Sequence, residues 1–418
     1  MSSNHENYQR RLDFVHNLIQ SFNFGQNARV EPIQYDPACP FKYNNFVYHI
    51  SLPSALTSDH SGENGTLQPG CVAIPKGTRD LVMRLTNSDA EGMSTTARVE
   101  NEVAIMTLAS SALRSYIPNI VPRIYGWASA AGGSAQGWIL QEFMPGSPGD
   151  ASFKALNPDE KKNFLLQMAK ILKGLQDFEL PSSIKGFGGV TFDESGEVIS
   201  GAMSSGGLGP WPTYEEFFRH QLDVALKTSD TNPYIKGWHA KGLRKRLDAF
   251  VSHGVAAEFD GLASAADRVI VHGDFTTNNI LFDAKSGRIT ALLDYDFACI
   301  SHPSFEFLKS FHSTDGALPG WTGDQNSEQM ALRKAKLEGF PDPLPPTTEN
   351  GVKWEVAKAW EDALEAEDVS VVDTLLSSIL PWGITNSTIL TLWPEDRFIQ
   401  IRDENEELLS QLMAHLGF

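Results

Sequence analysis

Residues 269–298 read VIVHGDFTTNNILFDAKSGRITALLDYDFA, and the order of apolar and polar residues in this stretch decides the fold. A short apolar run, Val269–Val271, leads directly into His272-Gly273-Asp274. Two further apolar runs, Ile280–Phe282 and Ile289–Leu293, are separated by a short polar segment that contains glycine, which predicts a β-hairpin. We therefore expect a strand, a polar loop and a hairpin in succession.

Three oxygen-bearing side chains lie around this hairpin. Asp274 lies in the loop that leads into it, Asn279 directly precedes its first strand, and Asp294 follows its second strand. Because the two strands run antiparallel, the hairpin returns Asp294 to the side of Asn279. Hard oxygen ligands and a carboxylate that can accept a proton are what a magnesium–phosphate site needs. The pattern favours a phosphoryl-transfer site, and the alternative is a buried hairpin with polar caps.

At these residues the sequence resembles the aminoglycoside phosphotransferase and choline kinase group of small-molecule kinases; a second segment, YNNFVY at residues 43–48, resembles the form found in fungal members. The signature of that family is H-G-D-x4-N-I-L, followed by an aliphatic residue, an aspartate and an aromatic residue. The matching residues are His272-Gly273-Asp274, Asn279-Ile280-Leu281 and Leu293-Asp294-Tyr295. The resemblance covers most of residues 40–310. It implies an α+β, bilobal protein-kinase-like fold with a small strand-rich N-lobe and a larger helical C-lobe.

The resemblance also implies a role for each matching side chain. Asp274 would orient and deprotonate the acceptor hydroxyl, while Asn279 and Asp294 would hold Mg2+ on the phosphates of ATP. His272 would support the loop. ATP and Mg2+ are therefore the expected cofactors. Asp296, two residues after Asp294, either contacts a metal or acts behind the ligands, and the sequence does not separate these roles.

A segment near the N-terminus resembles the hairpin that covers the nucleotide in this family. Residues 41–48 read FKYNNFVY and lack the glycines of a Gly-rich loop. The resemblance therefore implies that the side chains of Asn44 and Asn45, together with backbone N–H groups, cover the phosphates. An ordinary Asn-containing β-turn explains the same residues equally well.

Glu102 lies in a predicted helix, residues 95–113, at the place of the family's helix glutamate. Its expected partner is a lysine on the preceding strand, but residues 79–85 read RDLVMRL and offer Arg84 instead. Arginine can grip a carboxylate and a phosphate together, although its planar fork differs from a lysine point charge. We expect Arg84 and Glu102 to form a phosphate clamp, and the alternative is an ordinary salt bridge between strand and helix.

The domain organisation follows from a predicted strand, residues 136–144, that ends at Pro145-Gly146. The resemblance implies that the backbone of this segment contacts adenine, with Gln141 and Phe143 as the nearest side chains. Residues 1–145 are thus predicted to be a nucleotide-binding N-lobe. Residues 146–418 are predicted to be a helical C-lobe that carries the catalytic loop and the acceptor site.

Several other enzyme classes lose support. Protein kinases are disfavoured because Gly273 stands where they carry an arginine that reads activation-loop phosphorylation, and because the triplet at 294–296 is D-Y-D rather than D-F-G. The sequence contains no phosphate-binding G-x4-G-K-[ST] loop, no dinucleotide fingerprint, no G-x-S-x-G elbow and no H-E-x-x-H pair.

Composition restricts the partners and the compartment. The chain has 418 residues, of which 41% are hydrophobic, and 34 Lys and Arg stand against 52 Asp and Glu, a net charge of −18. Such a surface repels nucleic acid and anionic membranes, and no signal peptide, membrane span or obligate protein partner is evident. The three cysteines are far apart, which favours a reducing compartment, the cytoplasm.

These observations predict a kinase that transfers the γ-phosphoryl group of MgATP to a hydroxyl of a small molecule. The resemblance implies that the acceptor contacts the helical lobe, where residues 201–213 with Trp211, and also Trp321 and Trp382, are candidates. It makes a secondary metabolite a candidate acceptor. The alternative is a kinase-fold protein with lost or redirected activity, either a pseudokinase or an enzyme that uses phosphorylation for activation or elimination.

Overall fold

The computed structural model describes most of the chain. The described residues are 4–22, 24, 27–36, 39, 42–61, 67–130, 136–320, 322–349, 351–370 and 394–418. Trp321 and Trp382, two of the candidate acceptor contacts, lie outside them.

The described residues form both strands and helices. The strands are β1 (Arg29–Pro32), β2 (Asn45–Ser51), β3 (Asp80–Thr86), β4 (Ile124–Ala128), β5 (Trp138–Glu142), β6 (Ser147–Pro148), β7 (Gly189–Phe192), β8 (Val198–Gly201), β9 (Val269–Val271), β10 (Ile280–Asp283), β11 (Arg288–Leu292) and β12 (Cys299–Ser301). The helices are α1 (Tyr8–Ser21), α2 (Arg98–Ala112), α3 (Gly149–Ala155), α4 (Pro158–Gln176), α5 (Tyr214–Thr231), α6 (Leu243–Ala249), α7 (Val255–Asp260), α8 (Pro303–Lys309), α9 (Glu328–Glu338), α10 (Trp354–Ala366) and α11 (Glu395–His415).

The chain divides into two compact units. The first comprises Met1–Gly149, Glu179–Pro210 and Asn279–Cys299, and the second comprises Asp150–Phe178, Trp211–Asn278 and Ile300–Phe418. Strands predominate in the first unit and helices in the second. The predicted α+β fold class, with a strand-rich part and a helical part, is confirmed. The predicted functional boundary at residue 145 stays a prediction.

A five-stranded antiparallel sheet organises the first unit, in the order β1-β2-β3-β5-β4. One face of this sheet is buried against α1, and Tyr48, Ile50 and Met83 belong to that core. Successive residues of a strand point to opposite faces, so the other face carries the alternate positions. Its central strand β3 places Arg84 there, between β2 and β5.

The strand register defines two rows of side chains on that second face. Arg84 pairs with Val47 on β2 and with Ile139 on β5. Two residues earlier along β3, Val82 pairs with His49 and with Gln141. Arg84 and Gln141 therefore share one face of the sheet, and their predicted roles as phosphate clamp and hinge residue stay predictions.

A second hairpin packs on α2. Residues 181–212, which composition marks only as rich in Gly, Ser and Pro, contain the antiparallel pair β7–β8. Asn101 of α2, which is fully buried, accepts a hydrogen bond from the N–H of Val190 (2.8 Å) and donates to Ser204 Oγ (2.9 Å) and to the carbonyl of Ala298 (3.0 Å). This helix is therefore held in place by segments that are distant in sequence.

The hairpin predicted from residues 280–293 is present as β10–β11. Ile280 pairs with Leu292, and the short strand β6 adds a third strand beside β10. The N–H of Leu293 donates to the carbonyl of Asn279 (2.8 Å). The open end of the hairpin therefore places Asn279 next to Asp294, as expected from the antiparallel pairing.

The second unit is built around α4 and α10, which pack against each other. Helix α4 begins at Pro158, and Asn157 and Glu160 form a reciprocal capping box at this end. Trp360 of α10 is fully buried and packs on Phe311. In the described part of the chain, no helix combines the length and the apolar character that a membrane crossing requires.

Candidate active site

The centre of the candidate site is Arg84, whose guanidinium joins two carboxylates. It forms a buried ion pair with Glu102 of α2, and its Nη2 lies 3.0 Å from Oδ1 of Asp294. The side chains of Arg84 and Glu102 are only 8% and 3% exposed, whereas that of Asp294 is 40% exposed. The predicted strand–helix pairing is therefore present, and it includes the aspartate that follows β11.

This cluster perturbs the protonation of its members. Burial raises the pKa of Glu102, and Arg84 opposes that rise. Burial works against the charge of Arg84, but the carboxylates of Glu102, Asp294 and Asp296 outweigh it and raise its pKa. Dense packing around the carboxyl raises the pKa of Asp294 although part of the side chain meets solvent, and Asp296 adds to the rise. Arg84 therefore favours the charged form of both Glu102 and Asp294.

The backbone at Asp294 has an unusual conformation. Its φ is +64°, in the left-handed region that few residues other than glycine adopt. Aspartate tolerates this region better than most side chains, and such conformations concentrate at functional sites. The turn directs the Asp294 carboxyl toward Arg84 directly after β11 ends.

A second buried arginine lies behind this cluster. Arg98, the first residue of α2, contacts Asp296 through Nη2 at 3.2 Å from Oδ1. Asn45 at the start of β2 donates from Nδ2 to Oδ2 of Asp296 (2.7 Å), and the Arg98 guanidinium also reaches the carbonyl of Asn44 (3.1 Å). The side chain of Asn45 is thus engaged with Asp296, and its predicted contact with phosphates stays a prediction.

The oxygen atoms at this site fit a divalent cation. Glu102, Asp294 and Asp296 each place a carboxylate oxygen within 4.8 Å of the other two. Glu102 and Asp296 are buried and paired with Arg84 and Arg98, so Asp294 is the carboxylate that remains most accessible. Asn279 lies beside it. The carboxylate of Asp294, which is partly exposed to solvent, is a hard oxygen donor of the kind that suits Mg2+ completed by water and phosphate.

The hinge residues lie at the end of β5. Gln141 is buried, and its Oε1 has no hydrogen-bond partner within the described part of the chain. Phe143 is 41% exposed and packs against the ring of His49, with ring centroids 4.5 Å apart. A buried amide oxygen without a partner is costly and indicates that a donor from a ligand or water belongs there.

Asp274 belongs to the second unit. Gly273 before it has a φ of +76°, a value that glycine adopts without strain. The N–H of Asp274 donates to Nδ1 of its neighbour His272 (3.3 Å), which is fully buried. This hydrogen bond is consistent with the prediction that His272 supports the loop.

The loop that contains His272, Gly273 and Asp274 is held by Glu306, a residue that the sequence analysis did not identify. Glu306 of α8 accepts hydrogen bonds from the N–H groups of His272 (2.5 Å) and Gly273 (3.0 Å) and from Ser310 Oγ (2.5 Å). Ser310 Oγ in turn accepts from the N–H of Phe275 (2.7 Å). Burial raises the pKa of Glu306 to about 7. The backbone on both sides of Asp274 is therefore held by one carboxylate and one hydroxyl.

Sequence patterns could not have singled out Glu306, Arg98 or Asn101. Each is a polar residue in an otherwise amphipathic or apolar helix, and its partners lie far away in the chain. The available signal was a charge or amide at a position facing the core, which requires a buried partner but does not identify it.

The profile of a family described as "Phosphotransferase enzyme family" matches residues 72–340, which include Arg84, Glu102, Asp274 and Asp294. The match spans more than half of the chain. The protein therefore belongs to the phosphotransferase enzyme family, as the resemblance of its loop and hairpin implies. No curated protein sequence is significantly similar to this chain.

Solved structures resemble the chain along nearly its whole length. A protein from Ralstonia eutropha JMP134 that is assigned as an aminoglycoside phosphotransferase is 13% identical, with a TM-score of 0.49, over 96% of this chain and 98% of that one. The GDP and kanamycin complex of APH(2")-IIIa is 12% identical, with a TM-score of 0.45, over 97% and 99%. Aminoglycoside phosphotransferase APH(4)-Ia is 14% identical, with a TM-score of 0.44, over 96% and 99%.

Proposed function

We propose that this protein transfers the γ-phosphoryl group of MgATP to a hydroxyl of a small molecule. The observation that carries the proposal is the contact of Arg84 with both Glu102 and Asp294, on the sheet face that also presents Gln141. A fixed cation beside an accessible carboxylate supplies what a nucleotide phosphate and its metal need.

The residues of the first unit bind and position the nucleotide in this proposal. Arg84 donates to phosphate oxygens, and Glu102 holds its guanidinium in place. The side-chain oxygens of Asp294 and Asn279 would hold Mg2+, which, when bound, neutralises charge on the transferred phosphoryl group. Asn44 and Asn45 lie at the turn that covers the phosphates. Phe143 and Gln141 would contact the base, and the buried Oε1 of Gln141, which has no hydrogen-bond partner within the described residues, supports this assignment.

Asp274 of the second unit acts as the base in this proposal. Its carboxylate accepts the proton of the acceptor hydroxyl as the oxygen attacks phosphorus, and the bond to the ADP leaving group breaks. The tether from Glu306 and Ser310 to the surrounding backbone holds Asp274 in position for this step. The acceptor is a small hydroxyl compound, with a secondary metabolite as the leading class and Trp211 as a candidate contact.

The proposal includes the compartment. Cys39, Cys71 and Cys299 lie far apart in the sequence, which agrees with a cytoplasmic location where ATP is available.

The experiment uses thermal unfolding and ADP release. ATP with Mg2+ is expected to raise the unfolding temperature, because a ligand that binds the native state stabilises it. The wild-type protein should then release ADP from ATP in the presence of a mixture of metabolites, and the variant Asp274→Asn should not. The absence of any shift with ATP, with or without Mg2+, would refute nucleotide binding. Undiminished turnover by Asp274→Asn would remove Asp274 from the base role.

One observation favours a second function. Arg84 stands where the family carries lysine and is held by carboxylates, so a phosphate must compete with Asp294 for it. A pseudokinase would bind ATP without releasing ADP in the metabolite screen. An enzyme of activation or elimination would release ADP, and mass spectrometry would find a product that carries no phosphate.

A further inference from the structure

We propose that Arg98 and Asp296 are positioning residues, which fix the Asn44–Asn45 turn over the nucleotide phosphates, and that Asp296 is not a metal ligand. This inference rests on the proposed nucleotide-binding function. It assigns different roles to Asp294 and Asp296, the two carboxylates of the D-Y-D triplet. The sequence alone does not distinguish these roles.

Arg98 occupies a place where helix electrostatics do not favour a cation. It is the first residue of α2, at the positive end of the helix dipole, and it is 1% exposed. A cation there destabilises the helix, so the residue requires another explanation. Its guanidinium donates hydrogen bonds to groups outside the helix, among them the carbonyls of Asn87 (3.2 Å) and Asn44 (3.1 Å).

Asp296 is the counter-charge of Arg98. It is fully buried, with Oδ1 and Oδ2 at 3.2 and 3.3 Å from Nη2 of Arg98. A buried carboxylate without such a cation would be prohibitively costly. The Nδ2 of Asn45 donates to the same carboxylate (2.7 Å), so both of its oxygens already have donors. Asp294, with 40% of its side chain exposed, has the access to metal and phosphate that Asp296 lacks.

The turn at 43–45 is consequently held from several sides. Arg98 binds the carbonyl of Asn44 and approaches Oδ1 of Asn45 (3.3 Å), while Asp296 binds the amide of Asn45. Asn87 adds its N–H to the carbonyl of Asn44 (2.9 Å) and its Nδ2 to the carbonyl of Tyr43 (2.7 Å). Since β2 continues from Asn45 to Val47, the strand partner of Arg84, this tether sets the distance between the turn and the phosphate clamp.

The tether also joins three segments that the phosphates would contact. Arg98 lies four residues before Glu102 on α2, Asp296 lies two residues after Asp294, and Asn45 begins β2. A positioning role therefore predicts a loss of nucleotide affinity with little change in the chemical step. A purely structural role predicts a loss of stability alone.

The experiment compares Arg98→Lys and Asp296→Asn with a control, Lys336→Met. Lys336, whose side chain is 3% exposed, forms an ion pair with the partly exposed Glu361 in the second unit, so its variant reports the cost of losing an ion pair away from the nucleotide-binding residues. For both test variants we expect the apparent KM for ATP to rise about tenfold, with kcat within about threefold of wild type. The Mg2+ concentration for half-maximal activity should stay at the wild-type value.

A second measurement needs no nucleotide. Hydrogen exchange of the backbone amides of residues 42–46 in the nucleotide-free protein should become faster in Arg98→Lys and Asp296→Asn and stay unchanged in Lys336→Met. Unchanged exchange in the test variants would overturn the inference whether or not the protein binds ATP. A failure to bind ATP would refute the proposed function, which is a separate result.

Two further outcomes would also overturn it. A rise in the half-saturating Mg2+ concentration for Asp296→Asn, with unaltered affinity for metal-free ATP, would make Asp296 a metal ligand. A KM for ATP that stays at the wild-type value, while all three variants lose stability alike, would leave Arg98 and Asp296 with a structural role only.

Discussion

Arg84 on β3 and Glu102 on α2 form an ion pair that is almost completely removed from solvent, with side chains 8% and 3% exposed. Isolated, either charge would be too costly to bury, so the pair fixes α2 against the sheet at this point. The same guanidinium reaches Asp294 at 3.0 Å. One side chain thus connects a strand, a helix and the turn after β11.

Separating the structural and the functional roles of this pair requires two variants. Arg84→Met leaves the Glu102 carboxylate buried without a partner, and we expect the free energy of unfolding to fall by about 3–5 kcal/mol. Arg84→Met combined with Glu102→Leu removes both charges and should recover most of this stability, yet remain inactive because no cation meets the phosphates. Chemical denaturation and ADP release measure the two effects. Activity in the double variant would contradict the assignment of Arg84 as phosphate clamp.

Magnesium dependence follows from the crowded carboxylates of Glu102, Asp294 and Asp296. They repel the phosphates of ATP unless a cation is present, so ATP affinity should increase strongly with Mg2+. In Asp294→Asn one charge is removed, and we expect metal-free ATP to bind at least as tightly as in wild type while the gain from Mg2+ is lost. Calorimetric titration with and without EDTA measures both affinities. A variant that keeps the full gain from Mg2+ would show that Asp294 does not hold the metal.

Glu306 predicts a pH dependence of stability. Burial raises the pKa of Glu306 to about 7 from its ordinary value of 4.5, so the folded protein binds a proton that the unfolded chain releases between these pH values. Its contribution to stability is present below pH 4.5 and is lost as the pH rises through about 7, by roughly 3 kcal/mol. The unfolding free energy of wild type should therefore fall over this range relative to Glu306→Gln, which does not titrate there. Denaturation curves at several pH values, compared between the two proteins, test this. A constant difference across the range would contradict the raised pKa.

The close packing around Gly189 in the β7–β8 hairpin predicts that one added methyl group lowers the stability of the protein. A Cβ on Gly189 would overlap the carbonyl of Ala202 and lie 2.7 Å from Oδ1 of Asn101, the residue that anchors α2. We expect Gly189→Ala to lower the unfolding free energy by about 2–3 kcal/mol, because backbone must move to make room. Gly261→Ala is the matched control, since its Cβ would meet nothing closer than 3.9 Å and its φ of −83° suits alanine. Equal stability of the two variants would show that the hairpin does not pack closely on α2.

Much of the local structure was predictable because short-range chemistry determines it. Asn157 and Pro158 are typical of a helix start and lie where α4 begins, and short runs of apolar residues indicate β2 and β10. The strands β1 and β4 and the hairpin β7–β8 were not predicted. They are short, and β7 and β8 contain glycine and no long run of apolar residues. Pairing with neighbouring strands, rather than the residues of the strand itself, therefore stabilises them.

The candidate site divides in the same way. Asp274, Asn279 and Asp294 are recognisable from the sequence because the hairpin between the last two is local, and antiparallel pairing brings its ends together. The partners of Arg98, Asn101 and Glu306 were decided only when segments 34 to 198 residues apart packed together. A buried charge must find a counter-charge or hydrogen-bond donors, but its own position in the chain does not specify which ones. Short-range patterns therefore determine the hairpin and its flanking acids, while long-range packing decides which cations and amides hold them in place.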